Sequence, residues 1–340
     1  MLSKGTGTMT LSATRMYGNP NVGNRTRPVL DRALAGTAFS IDALACAAGA
    51  RILRDFRRDV GQEQSARPLS SELLFRIALS AICHQINWDF LSGRLSSLFD
   101  MGGRDARELS TTTAHDVDAW LAGYHRPERI KSKERAALLR DVGATIVLHF
   151  EGKAENLLEG SGRQLHGPDG FMERLDRFQA FRTDPLRKKS NVLVHEIVRD
   201  GVASFNDSAQ ITPAIDYHIM RLYLRSGRVL PLHRETLDLL KKDSVPRPRL
   251  VRLLREAVSE AVSLTALYAG MSIPDVNSLE WQIGRDVCDR ARPNCRGGNF
   301  SIAERFGLAG DGCPYASFCR AFADKEWRLL REPDLKKSFY

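Results

Sequence analysis

Long apolar runs are missing from this chain. Its most hydrophobic stretch, Ile41 to Leu53, is broken by Asp42 and Arg51 and closed by Arg54, far short of the roughly 20 apolar residues that span a bilayer. No membrane partner is expected. Cysteine is scarce: six in 340 residues exclude a disulfide scaffold. No alternation of apolar and polar residues runs long enough to suggest a sheet. There is no P-loop, dinucleotide-binding glycine run, histidine-rich metal motif or internal repeat, which removes the common nucleotide-binding and solenoid classes. Residues 1–35, rich in Gly, Ser, Thr, Asn and Arg, lack the apolar segment of a secretory signal and read as a flexible tail.

What is present points to helices. A hydrophobic content of 43% supplies a sizeable core, and apolar residues recur near every 3.6 positions, which predicts an all-α fold. Helices are expected over 39–59, 70–82, 87–99, 114–123, 131–150, 187–199, 215–226, 247–268 and 276–287. Ser40 with Asp42, Ser70 or Ser71, and Thr113 with Asp116 supply cap chemistry at helix starts, while Gly143, Gly201 and Gly227 are candidate stops. The glycine-rich stretch 151–170 reads as a connection. Fifty Lys and Arg against 41 Asp and Glu give a net charge of +9, which suits a polyanionic partner without specifying one.

Cys46 and Cys83 lie in apolar helical patterns and read as core thiols, whereas the other four cysteines crowd together in a C-x6-C-x17-C-x5-C arrangement of Cys288, Cys295, Cys313 and Cys319. Four thiolates at short separations suit zinc or an iron–sulfur cluster. Structural zinc more often uses cysteine pairs two to four residues apart, which are lacking here. The flanks carry more information. Gly284-Arg285-Asp286-Val287-Cys288, followed by Arg292-Pro293-Asn294-Cys295 and then Cys313-Pro314 and Cys319, resembles the cluster segment of the endonuclease III branch of helix-hairpin-helix DNA glycosylases. That resemblance implies a [4Fe-4S] cluster on the four cysteines, with Arg290, Arg292 and Arg296 against DNA phosphates. The middle spacer has seventeen residues where the family has two, a difference a looped-out insertion accommodates because closure entropy grows slowly with length.

Residues 215–228, Ile-Asp-Tyr-His-Ile-Met-Arg-Leu-Tyr-Leu-Arg-Ser-Gly-Arg, resemble the family segment V-D-x-H-V-x-R-x3-R-x-G. By that resemblance Asp216 is the catalytic carboxylate, with His218, Arg221, Arg225 and Gly227 as its fixed companions; His218 is then expected at the substrate and Arg221 at DNA. Taken alone, an Asp ahead of an apolar helix is simply an N-cap. Breaking a glycosidic C–N bond gathers positive charge on the sugar, and a fixed anion beside it lowers the barrier. Upstream, Asp184-Pro185-Leu186-Arg187-Lys188-Lys189-Ser190-Asn191-Val192 sits where the family carries its hairpin and nucleophilic lysine. Aligning Asn191 and Val192 selects Lys188; aligning the hydroxyl after the lysine selects Lys189. Both hairpin glycines are missing, so the phosphate-gripping turn is expected to be rebuilt. The Asp-Tyr pair at 216–217 is also similar to archaeal 8-oxoguanine glycosylases, which lack the cysteine motif, and to queuosine nucleoside glycosylases.

The stretch from Leu79 to Trp88 resembles the family helix whose glutamine wedges the duplex, which implies a pocket lined by Gln85, Trp88 and Asp89, although a Trp on an amphipathic helix also reads as core. Lys131, Lys133 and Arg135, and the stripe Arg247, Arg249, Arg252 and Arg255, are candidate phosphate contacts or solvated faces. The family architecture implies a six-helix barrel over 70–215, a cluster domain formed by 36–69 and 216–330, and an active site in the cleft between them. It further implies a monomer in the cytoplasm, at the nucleoid in a bacterium, acting on double-stranded DNA that carries a lesion or modified base. Two rivals stand beside this expectation: a hydrolase of free modified nucleosides, and a non-catalytic DNA-binding protein that keeps the cluster.

Overall fold

A computed structural model of the protein describes residues 34–55, 66–102, 104–184, 186–242, 248–291, 293–296 and 312–333. Arg292, Arg247, most of the 1–35 tail and the greater part of the insertion after Arg296 lie outside these residues.

The fold is mostly helical. In chain order the elements are β1 (Phe39–Ile41), α1 (Ala43–Arg54), α2 (Leu69–Ile82), α3 (Trp88–Gly102), α4 (Ala106–Ser110), α5 (Ala114–Trp120) and α6 (Ser132–His149). They continue with α7 (Glu155–Glu159), α8 (Phe171–Leu175), α9 (Gln179–Arg182), α10 (Lys188–Arg199), α11 (Tyr217–Ser226) and β2 (Val229–Pro231). The last are α12 (Arg234–Lys241), α13 (Pro248–Ala269), α14 (Ile273–Asp286), α15 (Arg320–Ala323) and α16 (Lys325–Arg328).

Local chemistry accounts for several of these boundaries. Asp42 caps α1 by accepting from the Ala45 amide at 3.0 Å. Thr113 and Asp116 form a reciprocal capping box at α5, as their spacing predicts. Gly227 ends α11 with φ +83°, a left-handed cap that favours glycine. Three expectations are corrected. Ser40 is not a cap but sits in β1, which pairs antiparallel with β2 in a three-residue register, Phe39 against Pro231; strands this short leave no alternation to read. Ser70 and Ser71 fall inside α2, whose N-cap is Pro68, and Ser70 Oγ instead accepts from the Ala154 amide at 3.0 Å. Gly143 does not end a helix: it lies mid-α6, where a Cβ would fall 2.3 Å from the Ser110 backbone nitrogen, so the missing side chain lets α4 close onto α6. The 151–170 connection contains the short helix α7.

Buried apolar side chains form two clusters. One draws on α2 through α10, from Leu73 to Ile211. The other joins Ala35, Phe39, Cys46 and Leu53 to residues between Ile215 and Leu330. Ile273, at the start of α14, packs against both. Among the described residues no helix is long and apolar enough to cross a membrane.

Candidate active site

Asp216 is the N-cap of α11 and is 4% exposed. Its Oδ1 accepts from the amides of His218 at 2.9 Å and Ile219 at 3.1 Å. Its Oδ2 accepts from Trp281 Nε1 at 2.9 Å. All three donors are neutral. The approach to Asp216 is fixed from two sides: Asn191 of α10 donates to the Pro213 carbonyl at 3.1 Å, and Asn277 of α14 accepts from the Ala214 amide at 2.9 Å. Because Asn191 lies one turn into α10, the same helix start that carries Lys188 and Lys189 is tied to the segment ending at Asp216.

The companions of Asp216 do structural work. Arg221 is expected from the sequence to reach DNA, but it is 2% exposed, with Nε on the Cys288 carbonyl, Nη2 on the Gly284 carbonyl at 2.8 Å and on His218 Nδ1 at 3.0 Å, and Nη1 paired with Glu332. It cannot touch phosphate. Arg225, one turn later, donates to the carbonyls of Asp289, Arg290 and Leu330 and approaches Cys288 Sγ at 3.6 Å. The two arginines thus latch the Asp216 helix to the cysteine segment. His218 is half-buried and packs against Arg221 and the Trp281 ring: burial, the largest cause, and Arg221 push its ring down to about 4 even though Asp216 pulls the other way. Gly284 makes this packing possible, since a Cβ there would fall 2.7 Å from the His218 carbonyl.

The lysines divide. Lys189 is buried and donates to the Ala81 carbonyl at 2.6 Å, while Arg135, also fully buried, donates to the carbonyls of Ile82 and His84. Both satisfy orphan carbonyls at the C-terminus of α2, where cations are favoured. Arg135 is therefore a cap and not a phosphate contact. Burial, the first cause, lowers Lys189 to about 8. Lys188 is half-buried, with its ammonium 3.8 Å from Cys83 Sγ, so Cys83 is a polar neighbour of this site and not only a core thiol. His84 beside it is pushed down to about 2, first by burial and then by Lys189 and Arg135.

The turn before α10 has its own anion. Asp184, 2% exposed, accepts from the Leu186 amide at 3.1 Å and the Lys188 amide at 2.5 Å, and pairs with buried Arg255 at 3.4 Å. Arg187 takes the left-handed conformation, φ 50°, where the turn calls for glycine. The Leu186 and Lys188 amides thus face a carboxylate of the chain itself.

Of the pocket residues, Gln85 is not helical; it occupies the turn between α2 and α3 with φ 58°. Trp88 packs against the first apolar cluster, which favours the core reading. Asp89 is exposed and pairs with Arg285 of α14 at 3.0 Å. Lys133 and Arg296 are exposed, and Arg290 pairs with Glu332 at 3.7 Å.

The four cysteines lie within electrostatic reach of one another. Cys313 is pushed well above the usual thiol range by burial first, and Cys288, Cys319 and Cys295 push it further. Burial with Cys288 and Cys295 raises Cys319 to about 11, and burial with Cys288 raises Cys295. Among the described residues, however, no group of three or more His, Cys, Asp or Glu side chains stands close enough to hold a single metal ion. A lone zinc ion, with Zn–S near 2.3 Å, needs its sulfurs within about 4 Å of each other; a multi-iron cluster bridges wider gaps. The donor chemistry, thiols of which Cys295, Cys313 and Cys319 are raised by burial and by one another when no cation is present, is the kind iron–sulfur clusters use.

Sequence reasoning missed Trp281, Asp184 with Arg255, and a buried network in which Glu280 receives Arg228, Tyr223 and Tyr315. Only Asp184 had a local signal, a short acidic side chain just ahead of a helix. Compared with known proteins, the chain matches no family model and no curated protein is significantly similar to it.

Proposed function

We propose that this protein cleaves the N-glycosidic bond of a damaged or modified base flipped out of DNA, on a helix-hairpin-helix glycosylase scaffold with a [4Fe-4S] cluster domain. The observation that carries this reading is Asp216: a buried carboxylate at a helix start, held by neutral donors only, on the helix whose arginines latch onto the cysteine segment. As the C–N bond lengthens, its electron pair leaves with the base and positive charge gathers at the sugar carbon. A fixed anion with no ion-pair partner among the described residues, Arg221 acting on it only at longer range, stabilises that charge strongly. Water then adds to the carbon, and in this reading Asp216 takes its proton.

Cys288, Cys295, Cys313 and Cys319 would hold the cluster, whose contribution is structural: it fixes the segment bearing Arg290 and Arg296. Lys133, Arg296 and the excess basic charge supply the phosphate-facing surface. If the enzyme also cleaves the backbone, Lys188 is the better candidate for the imine, because Lys189 is held on the Ala81 carbonyl. Borohydride trapping on DNA, lost in Lys188→Gln and kept in Lys189→Gln, is the expected outcome.

One observation favours a second reading. With Asp184 occupying the hairpin amides, the turn that grips DNA in this family has no vacancy for phosphate, which suits a hydrolase of free modified nucleosides. Incubation with a panel of lesion-bearing duplexes and modified nucleosides, followed by mass spectrometry of released bases, separates the two. Release from duplex that weakens steeply with salt supports the DNA reading. Release from nucleosides alone moves the assignment to the second, and release from neither sinks both.

A further inference from the structure

Asp216 is oriented by a residue outside the motif that singles it out. An ionised carboxylate offers about four lone-pair sites. Two are used by the α11 amides and one by Trp281 Nε1. The indole therefore sets the plane of the carboxylate and leaves one lone pair of Oδ2 for a ligand.

The indole is itself held. Trp281 lies on α14, three residues before Gly284, whose bare Cα lets α14 close onto the His218 carbonyl. One turn further along the same helix, the Arg285 guanidinium lies 4.4 Å over the Trp281 ring. Arg285 in turn bonds Asp286 at 2.6 Å and reaches Asp89, on α3, at 3.0 Å. His218 meets the ring edge-on, centroids 6.0 Å apart. The chain of contacts runs from Asp89, on a helix of the first apolar cluster, through Arg285 and Trp281 to Asp216 on a helix of the second.

We propose that Trp281 is the positioning residue for Asp216 and that the Arg285–Asp89 pair is its strut across the two halves of the molecule. The proposal rests on Asp216 being the reacting carboxylate. Trp281→Phe keeps the ring and deletes the donor, which frees the carboxylate to rotate without removing its charge. Asp89→Asn, at an exposed position, weakens the strut without disturbing a core.

The test has two arms on the full-length protein. In the first, the indole N–H signals are followed by nitrogen-15 NMR, the Trp281 signal being assigned by its loss in Trp281→Phe. It is expected to move on Asp216→Asn more than the signals of Trp88, Trp120 and Trp327, and to exchange with solvent faster in Asp89→Asn. In the second arm, base release from the substrate found by the panel is expected to fall by about tenfold in kcat for Trp281→Phe with KM nearly unchanged. Asp89→Asn should give a smaller loss, again in kcat. A Trp281 signal indifferent to Asp216→Asn overturns the contact. Unchanged kcat in a folded Trp281→Phe variant, or a loss confined to KM, overturns the positioning role. Full activity in Asp216→Asn together with a shifted indole signal also overturns that role, by removing the glycosidic reading beneath it, and leaves the contact standing.

Discussion

Asp184 and Asp216 both place a buried carboxylate at a helix start, and they differ in what balances the charge. Asp184 takes two amides and the Arg255 guanidinium. Asp216 takes two amides and an indole N–H, and its nearest imidazole, His218, is held neutral. A carboxylate paired directly with a buried arginine has its field largely cancelled; one whose direct partners are all neutral, with Arg221 acting only at longer range, keeps more of it for a cation formed beside it. The two residues carry nearly the same local signal, a short acidic side chain ahead of a helix. The distinction is made by Arg255, 71 residues away in sequence from Asp184.

The sharpest way to break this comparison is Asp184→Asn. Removing one member of a buried pair takes the opposite charge away from the other, so a loss of about 3 to 5 kcal/mol is expected in urea denaturation, with part of it recovered in the double variant Asp184→Asn, Arg255→Met. A change below about 1 kcal/mol would show that Asp184 is not the compensated partner described here. Asp216→Asn should leave stability within about 1 kcal/mol of wild type, because asparagine caps helices equally well.

A smaller effect tests the packing that brings Trp281 and His218 to Asp216. Gly284→Ala places a Cβ 2.7 Å from the His218 carbonyl, and parting α11 from α14 should cost about 1 to 3 kcal/mol. Calorimetry that found this variant as stable as wild type would contradict the close approach.

A pH-dependent effect concerns the neutral neighbours. His84, His195 and His218 are pushed down to about 2, 4 and 4 from the ordinary value of 6.5, burial being the first cause in each. The unfolded chain takes up these protons as pH falls through 6.5, while the folded chain does not take them up until near 4 at His195 and His218 and lower still at His84. Stability is therefore full above 6.5 and falls with acid, by about 1.4 kcal/mol per pH unit for each histidine. His84→Asn should flatten the slope between pH 6 and 4.5 by about one third. An unchanged slope would mean His84 is protonated in the fold.

The parts of the site that were legible in sequence are contiguous: the Asp216 cap, the Gly227 stop and the Thr113 capping box each depend on neighbours within a turn or three. The parts that were not legible depend on distant partners. Arg221 looks like a phosphate contact on a basic helix until the Cys288 and Gly284 carbonyls fold over it. Trp281 has no signal of its own, since its donor finds an acceptor 65 residues upstream. The two-stranded sheet escaped notice because three residues a side carry no periodicity. The cysteine motif was legible as a donor set, and iron and labile-sulfide analysis of protein purified without oxygen should find about four irons per chain, with less in Cys313→Ser.

The most direct test of the central claim is single-turnover base release by Asp216→Asn on the substrate identified by the panel. The expected result is a loss of about a thousandfold in rate with affinity within about twofold of wild type. A rate within tenfold of wild type, at equal affinity, would contradict it.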